Sequence, residues 1–279
     1  MQSKSAVTNT VAGGPAREEA VLLRYARRIT LIINVKSVAV SALAVVSMLF
    51  CAQNGLYADF PLALIATAII FPVVFSIGGA YKRREAALDH YGQIKAHGRA
   101  IYFAARDWLP EADGEVLARG SAVLGRLMAN CRTMFGGRRD RMIENEAAVY
   151  REFSELSRFV KSLREKGLAS GEVSRCNQYL SKMFVSFETM KHIYQYRTPV
   201  TLRAYSSIFI LLLPIIYGPY FAHLASEYSP GLEYAMPVLF SLILVGLENI
   251  QSHLENPFDQ VGEDDISINA EKFAERLEL

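Results

Sequence analysis

The segment TAIIFPVVFSIGGAYKRREAALDHYG, residues 67–92, sets the architecture of this chain. It passes from an uncharged apolar run with two phenylalanines four residues apart, through two glycines, into a basic triplet. An apolar run of about 20 residues can cross a bilayer, and basic residues at its end mark the cytoplasmic side. The segment therefore predicts a transmembrane helix that opens into an aqueous part of the protein. The triplet consists of Lys82, Arg83 and Arg84.

The composition indicates a protein with separate membrane and aqueous parts. Of the 279 residues, 51% are hydrophobic and 21% are charged. This is too apolar for an ordinary soluble domain and too charged for a chain that lies wholly in the membrane. The net charge is only +2, so nothing in the total charge favours a nucleic-acid partner.

Four apolar stretches are candidates for crossing a bilayer. The alternative, a buried helical hairpin in a large soluble protein, would need far more soluble chain to cover four such runs. The fourth stretch is short and carries Glu248 near its end, so its boundary is the least certain of the four. The stretches are residues 29–52, 60–80, 204–225 and 234–250.

The charges between these stretches predict the topology. The connections 53–59 and 223–233 contain no Lys or Arg, whereas arginines precede the first stretch and the basic triplet follows the second. By the positive-inside rule, both termini and the middle of the chain face the cytoplasm. The predicted parts are an N-terminal segment (1–28), a transmembrane hairpin (29–80), a cytoplasmic helical domain (81–199), a second hairpin (200–254) and an acidic tail (255–279).

The middle part is predicted to be a helical bundle. Apolar residues recur there at helical spacing, and no useful strand-like alternation is present. Residues 81–199 hold 21 Lys and Arg against 14 Asp and Glu, whereas the tail is strongly acidic, so the two can pair within or between chains. The clearest helical stripe consists of Val149, Phe153, Leu156, Val160 and Leu163.

Motifs for catalysis or cofactor binding are absent from the sequence. There is no phosphate-binding loop, no dinucleotide fingerprint, no nucleophile elbow and no His-Glu-x-x-His zinc motif. The three cysteines are far apart, and no Cys/His pair has the spacing of metal ligands. We therefore expect a protein that is not an enzyme and that holds no cofactor and no metal.

One face of the second apolar stretch suggests a function. Thr67, Phe71 and Phe75 follow one another at intervals of four residues and are flanked by small residues. If several copies of this helix surround an axis, the stripe forms successive apolar rings that can gate ion flow by dewetting. The alternative is an ordinary stripe that faces lipid or packs against a helix. Pro72, between the two rings, would kink the helix or loosen one turn.

Three passages together resemble the bestrophin family of ion channels. Residues 75–93, ending in Tyr91-Gly92-Gln93, are similar to the junction of the second transmembrane helix with the cytoplasmic domain. The passage RTPVTLRAYSSIFILLLPIIYG, residues 197–218, resembles the entry to the third span. The passage LENPFDQVGEDD, residues 254–265, is similar to the Asn-Pro-Phe and acids that end the fourth. The resemblance covers about residues 25–265.

The resemblance implies an all-α, homopentameric channel in a cell membrane, here the bacterial inner membrane. It places Thr67, Phe71 and Phe75 at a hydrophobic neck, where the family normally has three apolar residues, and Val200 at a second, cytoplasmic constriction. Chloride is the expected permeant ion, with a cation-conducting channel or a non-conducting scaffold or sensor as alternatives. Below the neck we expect a widening at Gly78 and Gly79 and a positive cytoplasmic mouth at Lys82, Arg83 and Arg84.

A bound calcium ion is not expected. In calcium-regulated animal members of the family, the acids after Asn-Pro-Phe belong to a calcium-binding clasp. Here Asp259, Gln260 and Val261 separate Asn-Pro-Phe from the acidic run, which departs from that pattern. The partners we expect are further copies of the chain and the lipid bilayer.

Overall fold

The computed structural model describes residues 32–59, 61–111, 114–197, 199–225, 227, 231–259 and 265–277. Over these residues the fold is all-helical, with nine α-helices, one 3₁₀ turn at Arg139–Arg141 and no strand, which confirms the predicted class. The helices are α1 (Val35–Gln53), α2 (Leu62–Asp107), α3 (Gly114–Gly136), α4 (Met142–Glu165), α5 (Ser170–Gln195), α6 (Val200–Ile216), α7 (Gly218–Ala225), α8 (Ala235–Leu254) and α9 (Ala270–Glu275).

Four stretches are long and apolar enough to cross a membrane, as predicted. They lie within α1, within α2, within Ser170–Ala225 and within α8. The first helix begins at Val35 because Asn34 caps it: the Asn34 side chain accepts a hydrogen bond from the backbone N–H of Ser37. The predicted start of this span, at residue 29, lies outside the described residues. The third span is broken at Tyr217, between α6 and α7.

The chain divides into two compact units. The first comprises residues up to Ile70 together with Ser206–Ile250, and the second comprises Phe71–Tyr205 together with Gln251–Leu279. Helix α2 belongs to both, since it runs for 46 residues without interruption. It does not end where the apolar run ends but continues to Asp107.

A close approach between two helices holds the first unit together. The Ser47 hydroxyl donates a hydrogen bond of 2.7 Å to the carbonyl of Ile215, next to the break in the third span. Gly218 lies against the same serine, so that an added Cβ would fall 2.2 Å from the Ser47 Oγ. Only glycine fits at this contact, which brings the start of α7 against α1.

The acidic residue of the fourth span has partners within the same unit. The Nζ of Lys36 lies 2.7 Å from Oε2 of Glu248, and the Ser207 hydroxyl donates to Oε1 at 2.7 Å. The neighbouring Asn249 side chain donates to the carbonyl of Ile32 at 2.7 Å. A carboxylate in an apolar segment is costly unless it is paired, so Lys36 and Ser207 make Glu248 compatible with a membrane helix.

The second unit has an aromatic and aliphatic core. The predicted stripe of α4, from Val149 to Leu163, is buried, which confirms that its spacing marks the packed face of a helix. Phe258, from the Asn-Pro-Phe motif, is 1% exposed and stacks on Phe135 with ring centroids 4.7 Å apart. The chain is held after the motif by a hydrogen bond from the N–H of Ile266 to the carbonyl of Pro257. The motif is therefore an anchor that fixes the tail to the bundle.

A polar cluster joins α4 to α5 inside this unit. The Nζ of Lys191 lies 2.9 Å from Glu146, 2.6 Å from Glu188 and 2.6 Å from the hydroxyl of Tyr150. Burial alone would lower the pKa of Lys191, but the hydrogen bonds that its ammonium donates to Glu188, Tyr150 and Glu146 outweigh burial and raise that pKa. Burial raises the pKa of Tyr150 to about 12, so its hydroxyl keeps its proton. One ammonium thus neutralises one of two carboxylates in a shared network.

Substituting Gly218→Ala should destabilise the protein. Since the added Cβ would overlap Ser47, either α7 or α1 must shift, at a cost of about 1–3 kcal/mol, typical of overpacking. A Gly171→Ala variant is the control, because a Cβ at Gly171 meets open space. Thermal unfolding in detergent should show a lower Tm for the first variant and no loss for the second. Equal Tm values for both variants would contradict the close contact.

Substituting Lys191→Met should lower the free energy of unfolding by about 1–3 kcal/mol, because it leaves two half-buried carboxylates together without their cation. Lys161→Met, at an exposed position of α4, is the matched control and should have little effect. Chemical denaturation of both variants at pH 7 measures the difference. The network is not stabilising if the two variants unfold alike.

The same network predicts a pH dependence. The hydrogen bond from Lys191 lowers the pKa of Glu146 below its ordinary value, so the stability it contributes is present above the unfolded pKa, about 4.3. That stability is lost as the pH falls through the lower, folded pKa. The difference in unfolding free energy between wild type and Glu146→Gln should therefore be constant from pH 7 to 5 and shrink in stronger acid. A difference that grew in acid would contradict the assignment.

Candidate pore helix

The long helix α2 presents one continuous exposed face. At about 100° per residue, positions 67, 71, 75, 78, 82, 85, 89 and 93 fall within a sector of about 80°. Every residue of this sector from Thr67 to Asp89 is exposed, and Gln93 is half-buried. The opposite side of the helix is packed into the protein and consists of Ala66, Ile69, Val73, Ala80, Ala87, Tyr91 and Ile94.

The two predicted neck phenylalanines lie next to each other on this face. Phe71 is 61% exposed and Phe75 is 63% exposed, so neither ring is used to pack the chain on itself. Their ring centroids are 4.5 Å apart and their planes are inclined by 66°, an edge-to-face pair. A ring that lines a pore and a ring that faces lipid would both be exposed in a single chain, so exposure alone does not distinguish the two.

The hydroxyl of Thr67 is satisfied within the helix. Its Oγ1 donates a hydrogen bond of 2.6 Å to the carbonyl of Ala63, one turn earlier. Because this hydroxyl already has a backbone partner, the Thr67 side chain is less polar towards its surroundings than a free hydroxyl would be. It is therefore closer in character to the apolar residue expected at a neck. Helix α2 also continues through Pro72, although proline supplies no N–H to the preceding turn.

The two glycines below the rings leave the face open. A Cβ at Gly78 would meet nothing within 4 Å, and one at Gly79 would make only an ordinary contact with the Arg83 side chain, at 3.5 Å. Neither glycine is needed for packing within the chain. Their effect is to keep this part of the helix narrow, directly after the bulky rings.

The three basic residues of the predicted mouth have different surroundings. Lys82 is exposed on the shared face, but Arg83 and Arg84 are half-buried. The Arg84 guanidinium contacts the Glu85 carboxylate at 2.5 Å. Burial lowers the pKa of Arg83, and the charge of Glu255 partly opposes this. Of the three cations, Lys82 is therefore the one presented on this face.

Val200 is the first residue of α6 and is 69% exposed. The start of the helix is held by Arg203, whose Nη1 lies 2.9 Å from the buried carboxylate of Glu255. Since the Val200 side chain is exposed, it does not serve to pack the start of the helix against the rest of the chain. Its place at a constriction remains a prediction.

Acidic residues on the exposed face were not among the residues singled out from the sequence. Glu85 and Asp89 line a shallow groove together with Gly92 and Gln93, and the Gln93 amide donates to Asp89 at 2.9 Å. The signal that could have found them is the spacing itself, since both continue the stripe of Phe71 and Phe75 beyond the apolar run.

Across the described ranges, no group of three or more His, Cys, Asp or Glu side chains is arranged to hold a metal ion. The acids from Glu263 to Asp264, which follow the Asn-Pro-Phe motif, lie outside those ranges.

Comparison with known proteins identifies the fold. Searches of sequence families and of curated proteins give no match. Among solved structures, a bacterial bestrophin homologue from Klebsiella pneumoniae, a point mutant, aligns with a TM-score of 0.71 at 16% identity, over 87% of this chain and 96% of its own. A second mutant of that homologue gives 0.70 at 17%, over 89% and 99%. A mutant described as a membrane protein gives 0.68 at 17%, over 90% and 97%.

The similarity in structure confirms the resemblance inferred from residues 75–93, 197–218 and 254–265 at the level of the fold. The alignments cover nearly the whole of each solved chain, so the likeness extends over both units. At 16–17% identity it shows a shared architecture and leaves function to be tested.

Thiol labelling distinguishes a water-filled axis from a lipid-facing stripe. The native Cys51, Cys131 and Cys176 are buried, and burial raises the pKa of Cys131 to about 12 and that of Cys176 to about 11, so their reactivity should be low. In liposomes, Gly78→Cys should react with a charged, water-soluble thiosulfonate, whereas Val73→Cys, at a 1% exposed position, should not. If Gly78→Cys is as unreactive as Val73→Cys, this face of α2 does not line an aqueous path.

Proposed function

We propose that this chain, which has the fold of the bacterial bestrophin homologues, forms a homopentameric membrane channel that conducts ions passively. The observation that carries the proposal is the single exposed face of α2, on which Phe71 and Phe75 stand free of contacts with the rest of the chain's core. Five copies of this face around an axis would form the hydrophobic neck, with Thr67 as its outer ring and Val200 at a second, cytoplasmic aperture.

The proposed topology places both termini in the cytoplasm of a bacterial cell and the chain in its inner membrane. The absence of Lys and Arg from the connections 53–59 and 223–233 supports this orientation. The basic triplet after the apolar part of α2 supports it from the other side. The part from 81 to 199 is then a cytoplasmic helical domain, and ions leave the neck through it.

The conducting mechanism follows from the chemistry of the neck. A narrow ring of phenylalanine side chains offers a hydrated ion no hydrogen bonds, so a constriction of this kind opposes conduction until it widens or fills with water. Gly78 and Gly79 would make the path wider immediately below. Ring edges carry a slight positive charge, which favours the passage of a partly dehydrated anion such as chloride.

A specific observation supports the second candidate, a cation-conducting channel of the same fold. Only Lys82 presents a positive charge on the shared face, whereas Glu85 and Asp89 follow it within two turns. Arg84 offsets part of the Glu85 charge, but among the described residues Asp89 accepts a hydrogen bond only from the neutral amide of Gln93. In a fivefold arrangement these carboxylates would form rings that attract cations, as acidic rings do in cation channels.

Ion flux into liposomes tests the channel. Wild type should conduct under a chloride gradient, a potassium gradient or both, and Phe71→Ala with Phe75→Ala should raise the flux, because smaller side chains widen the neck. Ile143→Ala, at an 84% exposed site on α4, serves as the control. The absence of flux under both gradients for wild type and the double variant would exclude a channel and favour a scaffold. Unchanged flux in the double variant would remove only the neck assignment.

Reversal potentials decide between the two ions. If chloride is conducted and the exposed face of α2 lines the path, Lys82→Gln should lower the preference for chloride over potassium, while Asp89→Asn should raise it. Glu165→Gln, an exposed acid at the end of α4, controls for the change in net charge. Identical reversal potentials for all three variants would show that this face does not set selectivity.

Chemical cross-linking in detergent tests the number of subunits separately and should give a largest product of five chains.

A further inference from the structure

A basic cluster lies at the contact between α2 and α9, within the second unit. Lys95 and Arg99 are one turn apart on α2, and Arg276 directly follows α9. The Nζ of Lys95 is 4.2 Å from the ring centroid of Tyr91, and the guanidinium carbon of Arg99 is 5.7 Å from that of Phe273. Both rings are buried, so they hold the cations in place from beneath.

The three cations of this cluster have no carboxylate partner among the residues that the structure describes. Of the two acids of α9, Glu271 pairs with Arg132 at 2.7 Å, and Glu275 forms no ion pair with the three cations. The Nε of Arg99 is buried, and within the described part of the chain it has no hydrogen-bond acceptor. A guanidinium cannot give up its charge, so a buried N–H of this kind is costly without an acceptor.

The charges of the cluster also oppose one another. Burial lowers the pKa of Lys95, and the charges of Arg99 and Arg276 lower it further. Repulsion between cations that have no acid between them raises the free energy of the folded protein, and a bound anion would lower it. The geometry therefore has the properties of an anion site: fixed cations, an orphaned buried donor and a charge excess of one sign.

The position along α2 narrows the class of anion. Lys95 lies fifteen residues beyond Ala80, which at 1.5 Å per residue is roughly 22 Å further along the same helix than the end of the apolar run. Phospholipid headgroups lie within a few ångströms of that end, so they do not reach the cluster. A soluble anion does.

We propose that Lys95, Arg99 and Arg276 bind the phosphate chain of a soluble polyphosphate. Side chains one turn apart on a helix are separated by about 5–6 Å, which matches neighbouring phosphate groups better than a single small anion. Arginine contributes a planar fork of donors, and lysine contributes a point charge. Because Tyr91 and Phe273 already lie under the cations, they are not free to stack on a base, so recognition is of the phosphates alone.

Binding to the purified full-length protein in detergent tests the site, with inorganic tripolyphosphate as the probe and titration calorimetry as the measurement. Lys95→Gln with Arg276→Gln should weaken binding by about tenfold or more, equivalent to about 1.4 kcal/mol. Arg138→Gln with Arg158→Gln removes two exposed arginines of the same unit and the same net charge, and should leave affinity within about twofold. No binding by wild type, or equal losses in both double variants, would overturn the proposal.

Two further arms identify what is recognised and guard against misfolding. ATP should bind as tightly as tripolyphosphate and adenosine should not compete, whereas competition by adenosine would show a base site and overturn the assignment to phosphates. Arg276→Gln alone, at an exposed position after α9, should also weaken binding if thermal unfolding shows the double variant to be unstable. These measurements require no ion conduction, so they are independent of the proposed channel.

Discussion

The helical period of α2 is the constraint on which the proposed pore depends. Because the helix is uninterrupted for 46 residues, the face that carries Phe71 and Phe75 determines which charged residues follow it after the apolar run. Ala66, Val73, Ala80 and Ala87 pack the opposite side of the helix, so it has one buried and one exposed face. Ala66, Ala80 and Ala87 on the buried side let neighbouring segments approach closely at those positions.

Many charged residues of this protein form ion pairs, so the basic and acidic segments carry less unpaired charge than the sequence indicates. Glu248 is made compatible with an apolar helix by Lys36, and the buried Glu255 is paired with Arg203. Arg84 is likewise paired with Glu85. A count of charges along the sequence treats these residues as independent, whereas the electrostatic potential near a pore depends on those that remain exposed and unneutralised.

Periodicity and charge in the sequence were sufficient to predict the all-helical class, the four apolar spans and the packed stripe of α4. They could not predict contacts between residues far apart in the chain. The Ser47–Gly218 approach, the stacking of Phe258 on Phe135 and the Lys191 network each join distant segments, and no local pattern marks them. Asp89 is a different case: its spacing continues the stripe of Phe71 and Phe75, but it shares their face only because the helix continues past the apolar run. The motifs at residues 75–93, 197–218 and 254–265 identified the fold because they combine local sequence with order along the chain.

The continuity of α2 also has a mechanical consequence. The helix is continuous from its apolar part into its charged part, so a rotation that moved Phe71 and Phe75 would also move Asp89 and Lys95. Pro72 lacks the N–H that would bond to the preceding turn, so the helix bends and twists most easily at this residue. A ligand or partner that rotates the C-terminal half of this helix would therefore apply a torque to the aromatic rings. The contact between the two rings need not change.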